Sequence, residues 1–175
     1  MSSSILQAIW PGERHEDVVE YRNSWGTAPI VWDYFCEHHL GLEKTWWLFH
    51  GGDKPNLLWD CWKRLDIPEP HRAVLLFTCD NVYVKKQDYR RFATDLRAFL
   101  DDVKISANSF NHWPRIAQQF EMDPEYPALA LWCTTVTGDP FMGPYNEETD
   151  EHDPFDWAKA SDLYAELDSV RAEDG

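Results

Sequence analysis

Between positions 89 and 103, Tyr89, Phe92, Ala93, Leu96, Phe99, Leu100 and Val103 recur at steps of 3, 1, 3, 3, 1 and 3. An α-helix turns every ~3.6 residues, so this spacing gathers all seven side chains into one stripe. Arg90, Arg91, Asp95, Arg97, Asp101 and Asp102 fill the opposite side. Such a helix needs an apolar surface to lie on. Two continuous apolar runs flank it, Ala73–Thr78 and Ala128–Val136. Runs of that length suit strands covered on both faces. Strand, long helix and returning strand predict a right-handed parallel crossover. The expected class is therefore α/β, a single compact domain with a small central mixed sheet and about five flanking helices.

Other elements are placed by their punctuation. Ile30, Val31, Tyr34, Phe35 and His38 keep helical spacing, with Pro29 suited to the first turn and Gly41 to the C-cap. A shorter helix is expected over 57–65, with Leu58, Cys61, Trp62 and Leu65 inward, ended by Asp66-Ile67-Pro68-Glu69-Pro70. Trp46–Phe49 and Val82–Val84 read as further strands, the latter after a turn at Asp80-Asn81. Asn111-His112-Trp113-Pro114 opens a helix that turns Trp113, Ile116 and Phe120 inward. Asp153-Pro154-Phe155-Asp156 resembles a helix start with Asp153 as N-cap, and Ala160, Leu163, Tyr164, Leu167 and Val170 would continue that helix. Residues 171–175 are expected to fray.

The 175 residues fit one domain spanning 1–175, without repeats or a Gly/Ser linker. Ten Trp, seven Tyr and nine Phe argue against disorder, since disordered acidic chains are poor in aromatics. No window approaches the ~20 apolar residues of a membrane span, and the first residues lack a secretory pattern. Cys36, Cys61, Cys79 and Cys133 sit singly in apolar surroundings and read as buried free thiols, with a cytoplasmic setting expected. Trp32, Trp62, Trp113 and Trp132 fall at core positions. Trp10, Trp25, Trp46, Trp47, Trp59 and Trp157 do not, so some of them are expected at a binding surface.

Thirty-one acidic residues against 16 basic ones give a net charge of −15. Nucleic acid is an improbable partner for such a chain, because phosphates need clustered Lys and Arg. The charge is also local. From Asp139 to Gly175 there are 12 acidic and 2 basic residues, so two thirds of the excess lies in the last fifth of the chain. Glu147, Glu148, Asp150, Glu151, Asp153 and Asp156 crowd six carboxylates into ten residues, interleaved or flanked by Phe141, Tyr145, Phe155 and Trp157. A solubilising tail has no use for those aromatics. Aromatic anchors rimmed by like charge suit a basic protein partner, captured by electrostatic steering. The expected contact set is Asp139, Phe141, Tyr145, Glu147, Glu148, Asp150, Glu151, Asp153, Asp156 and Trp157.

Catalytic and metal signatures are weaker. The acidic segment lacks the alternating ligands and central Gly of a calcium loop. Cys36-Glu37-His38-His39 is the one local cluster of soft ligands, but zinc wants four, and His15, His50 or Cys61 would have to arrive through the fold. A helix end with histidines favoured by the dipole is the simpler reading. Cys133 or Cys79 could meet His112 or His71, though no nucleophile signature surrounds them. No dinucleotide, P-loop, zinc-protease or hydrolase motif occurs, and His50-Gly51-Gly52-Asp53 reads as a turn that could form a small anion nest. The expectation is a non-enzyme with no metal and no cofactor.

Asn111-His-Trp-Pro-Arg-Ile-Ala117, Trp132-Cys-Thr134, and Asp139-Pro-Phe-Met-Gly-Pro-Tyr-Asn-Glu-Glu148 leading to Asp153-Pro-Phe-Asp-Trp157 carry a further hint. In style, across most of its length, the chain resembles the immunity proteins that bacteria encode beside polymorphic or contact-delivered toxins. That resemblance implies a non-catalytic inhibitor occluding the active site of a cognate toxin. A nucleic-acid mimic that blocks a DNA-binding enzyme, and an enzyme with an unrecognised His/Cys site, are the alternatives.

Overall fold

The computed structural model describes residues 2–50, 56–103, 110–133 and 138–173. In chain order the elements are β1 (Ser3–Trp10), β2 (Arg14–Arg22), α1 (Ala28–His39), α2 (Trp46–His50), α3 (Asn56–Trp59), α4 (Glu69–Phe77), β3 (Val82–Lys85), α5 (Tyr89–Val103) and α6 (Trp113–Glu121). They are followed by β4 (Ala128–Cys133), β5 (Tyr145–Asn146), β6 (Glu151–His152), β7 (Ser161–Asp162) and α7 (Leu163–Glu173). A mixed sheet of order β2-β1-β4-β3-β7 forms the centre, and β5 and β6 make a separate two-stranded ribbon. The class expected from the sequence is the class observed.

The striped helix is α5, and its bounds match its stripe; Tyr89, Phe92, Ala93, Leu96 and Phe99 are buried. Alternation along the strands divides the sheet into two faces. Leu6, Ala8, Val82, Val84, Leu129 and Leu131 enter the main core, with residues from α1, α4, α5, α6 and α7. Ile9, Tyr83, Ala128 and Ala130 point the other way, where Phe141 joins them.

The run 73–78 is not a strand. It lies in α4, where every residue from His71 to Phe77 is buried. A helix enclosed on all sides is apolar all round, and periodicity cannot tell it from a buried strand. The local signal for a helix is Pro70 in the first turn, which opens this helix as much as it closes off what precedes it. Without that strand, no parallel crossover leads into α5 among the described residues. β3 and β4 run antiparallel, and the parallel pair is β3 with the two-residue β7.

Three further expectations are corrected. Trp46–Phe49 belongs to α2, where the Trp47 indole donates to Asp33 Oδ1 at 2.8 Å. The 57–65 helix is shorter, α3 followed by a 3-10 turn at Asp60–Lys63, which leaves Leu65 beyond its end and exposed. The last helix starts at Leu163 instead of Asp153, with Asp162 Oδ1 accepting from the Tyr164 amide at 3.2 Å. The chain between holds only the 3-10 turn Trp157–Lys159 and the two-residue β7, and its Phe155 and Trp157 pack on Phe141. At the far end Arg171 is helical and pairs with Glu69, so 171–173 do not fray. The N-terminal hairpin β1–β2, turned at Pro11-Gly12 with Gly12 at φ +88°, had no counterpart in the sequence reading. The Gly51-Gly52-Asp53 turn, Thr134–Val136 and the last two residues fall outside the described residues.

Of the ten tryptophans, Trp113 and Trp32 are buried and Trp25 is half exposed; the others lie between. Trp47 packs on Trp32 at 4.7 Å and on Trp25 at 6.0 Å, and Trp59 packs on Trp32 at 5.0 Å. Three of the six positions that lacked an evident burial pattern, Trp25, Trp47 and Trp59, therefore form one aromatic cluster around the buried Trp32.

Candidate functional site

The acidic aromatic segment is a strap across the second face of the sheet. Phe141, 2% exposed, seats it against Ile9, Tyr83, Ala128 and Ala130. Trp157 stacks on Phe141 at 5.9 Å, and Phe155 meets both rings edge-on at 5.5 and 5.1 Å. Burying one such aromatic is worth ~1.5–3 kcal/mol, so this small cluster can hold the strap in place.

Asp139 is the polar half of the anchor, its side chain only 8% exposed. Its Oδ2 accepts from His15 Nε2 at 2.9 Å and from Gln7 Nε2 at 3.2 Å, and its Oδ1 accepts from the Phe141 amide at 3.0 Å. Gln7 is fully buried and also donates to Asp17 Oδ1 at 3.0 Å. Asp139 and Phe141 therefore face inward. They fix the strap to β1 and β2 and are not presented to a partner. Nothing in the sequence tied Gln7 and His15 to Asp139, because that juxtaposition depends on the unforeseen hairpin.

Beyond the anchor the chain forms the β5–β6 ribbon, Tyr145 opposite His152 and Asn146 opposite Glu151. Its base is closed by His152 Nδ1 donating to the Gly143 carbonyl at 2.7 Å and by the Asp153 amide donating to the Pro144 carbonyl at 2.9 Å. Asn146 braces the turn. Its Oδ1 accepts from the Glu148 amide at 3.0 Å and its Nδ2 donates to Asp153 Oδ1 at 3.1 Å. Asp150 holds the left-handed position at φ +58° and accepts from the Tyr145 hydroxyl, a bond that raises the Tyr145 pKa. Tyr145, Glu147, Glu148, Asp150, Glu151, Asp153 and Asp156 are all exposed, and Trp157 is half-buried. An open cleft of about 560 Å³ lies beside the base of the ribbon, bordered by Asp80, Asn81, Asp139, Asp153, Asp156 and Lys159.

Gly143 makes this closure possible. A β-carbon there would stand 1.8 Å from the Asp153 carbonyl oxygen and 2.7 Å from its carbon. Gly143→Ala is expected to force the ribbon open at its base. Amide exchange of Asp153 should speed up and proteases should cut within 145–151. The melting temperature should fall by only a few degrees, since the main core lies on the opposite face of the sheet. Unchanged protection of Asp153 would show that the ribbon tolerates the methyl group and is held elsewhere.

The other candidates carry less chemistry. Burial pushes the thiols of Cys36 and Cys133 up to about 11 and that of Cys79 up to about 12, far from the thiolate a nucleophile needs. His112 bonds the Arg22 carbonyl and His71 bonds Asp102 and His39, so both histidines are engaged away from those thiols. Among the described residues no group of three or more His, Cys, Asp or Glu is placed to hold a metal ion. No helix of the described residues is long and apolar enough to cross a membrane.

No family model matches the chain, and no curated protein or solved structure matches it. Its geometry alone speaks for the site.

Proposed function

We propose that this chain is a non-catalytic protein inhibitor of the immunity-protein kind, and that the β5–β6 ribbon inserts its acidic tip into a basic cleft of a cognate toxin. One observation carries the reading. Six carboxylates are exposed together: Glu147, Glu148, Asp150 and Glu151 on a ribbon that is fixed at its base, and Asp153 and Asp156 just beyond it. The ion pairs among the described residues use none of them. Like charges this close repel one another, and within a Debye length of about 8–10 Å salt screens them only partly. A cationic surface relieves that repulsion. Because the ribbon is already ordered, binding does not have to supply the cost of folding it. Tyr145 adds an exposed aromatic ring between the charges, a residue type that anchors interfaces.

Co-expression with the protein encoded by the adjacent open reading frame tests the reading. That protein should be basic, toxic when expressed alone and recovered as a complex with this chain. The association rate should fall at least about tenfold between ~50 and ~500 mM salt, with a much smaller change in dissociation. Salt-independent association, or an acidic partner, would remove the basis for a charge-steered inhibitor.

A further inference from the structure

We propose that Asp102, His71 and His39 form an acid-sensitive latch that ties the C-terminal end of α1 to α4 and α5 and releases it on protonation. The three groups come from three helices. His39 is the last residue of α1, His71 lies in the first turns of α4 and Asp102 lies near the end of α5. His71 Nε2 lies 3.1 Å from Asp102 Oδ2, and His71 Nδ1 lies 3.2 Å from His39 Nε2.

A carboxylate only accepts, so the proton positions follow along the chain. His71 donates from Nε2 to Asp102, which leaves Nδ1 as an acceptor, and His39 donates to it from Nε2. Rings close the site around this relay. Phe99 stands edge-on to His71 at 5.3 Å, Phe35 lies 4.8 Å from His39, and Tyr34 lies 5.5 Å from His71 and 5.7 Å from His39. The His71 side chain is 4% exposed, whereas that of Asp102 is 61% exposed and reaches water.

The geometry accommodates one added proton and not two. With a single imidazolium in the pair, the shared N–H···N bond persists. With both rings protonated, the facing nitrogens each carry a hydrogen and no lone pair remains between them. Two donors and two positive charges then stand at a separation only a hydrogen bond allows, and the rings must part. Other charges face the pair from each side. Asp102 on α5 and Asp66 after the 3-10 turn favour the cation, while Arg64 and His38 oppose it. Arg64 Nη1 also donates to the His39 carbonyl at 3.2 Å, and Glu37 and Lys44 pair on the outer side of α1.

Burial and the neighbouring His71 hold His39 down at about 4, below its ordinary 6.5. The folded state thus binds fewer protons than the unfolded chain between those values. Its stability rises with pH across that window, is complete above about 6.5 and is lost as pH falls towards about 4.

Amide exchange, corrected for its intrinsic pH dependence, tests the latch at about pH 7, 5.5 and 4.5. Protection over residues 34–42 should drop at least tenfold across that range while β1 and β4 stay protected. His39→Gln offers an N–H to neutral His71 Nδ1 and, with its amide turned over, an oxygen to a protonated one, so its protection should not depend on pH in this window. If His39→Gln loses protection as the parent does, or the parent keeps it at about pH 4.5, the latch is overturned. Asp102→Asn, exposed and benign to folding, provides the second arm. It retains an acceptor for His71 but removes the charge that favours the imidazolium, so the midpoint should move to lower pH. An unmoved or raised midpoint overturns the proposal.

Discussion

Trp113→Ala should be the most damaging single truncation in this protein, lowering its stability by about 4–6 kcal/mol and its melting temperature by roughly 10–20 °C. Two terms combine. The indole is fully buried, and emptying a site of that size costs ~3–5 kcal/mol through lost contacts and a residual cavity. Its Nε1 also donates to the Thr27 carbonyl at 3.0 Å; that carbonyl keeps the Ile30 amide as a donor at 3.1 Å, so losing the indole bond adds only about 0.5–1.5 kcal/mol. Against a typical total of ~5–15 kcal/mol, little remains.

The site explains why relaxation will not rescue it. Thr27 Oγ1 lies 2.6 Å from Ser4 Oγ and from the Ser24 carbonyl; the His112 amide donates to the Gly26 carbonyl at 2.8 Å; and His112 Nε2 donates to the Arg22 carbonyl at 2.7 Å. Gly26 is packed so closely that a β-carbon would fall 1.4 Å from the Phe110 carbonyl oxygen. The start of α1, the end of β2 and the start of α6 are joined at this point and cannot easily close around a void. Trp113→Phe separates the terms. It retains most of the packing and should cost about 1–3 kcal/mol, shared between the lost hydrogen bond and the smaller ring. Denaturant midpoints for both variants decide it. A loss under 2 kcal/mol for the alanine variant would mean that the junction is softer than its hydrogen bonds indicate.

What could be read from the sequence followed from periodicity and punctuation. The α5 stripe, the Pro29 start and Gly41 end of α1, and the inward Trp113, Ile116 and Phe120 of α6 are local patterns, and each was found where expected. The α4 run reads equally as a strand, because total burial erases the pattern that distinguishes helix from strand. The β1–β2 hairpin is not marked by periodicity, although Ile5-Leu6-Gln7-Ala8-Ile9 and Pro11-Gly12 sit in the first dozen residues. Its second strand, Arg14–Arg22, is largely exposed and charged on an edge, and offers no apolar alternation to find.

The same division runs through the candidate site. Its charge and aromatic content were legible as composition. Which aromatics are anchors and which carboxylates face water depends on a sheet face assembled from β1, β3 and β4. Asp139 and Asp153 look alike in the sequence, yet one is sealed against Gln7 and His15 and the other lies exposed beside the ribbon.

Reversing the ribbon's tip is expected to lower affinity for the basic partner by at least about a hundredfold, chiefly through the association rate. The variant that isolates charge is Glu147→Lys, Glu148→Lys and Glu151→Lys together, which moves the formal net charge from −15 to −9. Asp150 is best left alone. It holds a left-handed backbone position that Asp tolerates better than Lys, and it accepts from the Tyr145 hydroxyl, so changing it would disturb the turn as well as the field. None of the three glutamates takes part in an ion pair of the described residues, and all are exposed, so the fold should not suffer. Relief of their mutual repulsion should leave the melting temperature unchanged or slightly higher. That outcome separates a lost interface from a lost fold, which single truncations at Phe141 or Trp157 cannot do, because those rings hold the strap. The corresponding triple Gln variant should fall between parent and reversal, since it removes attraction without adding repulsion. Stopped-flow association at low and high salt is the measurement. The three association rates should be widely separated at low salt and should converge as salt rises. Equal rates for parent and reversal at low salt would mean that the partner does not meet this ribbon, and the inhibitor would then need another face.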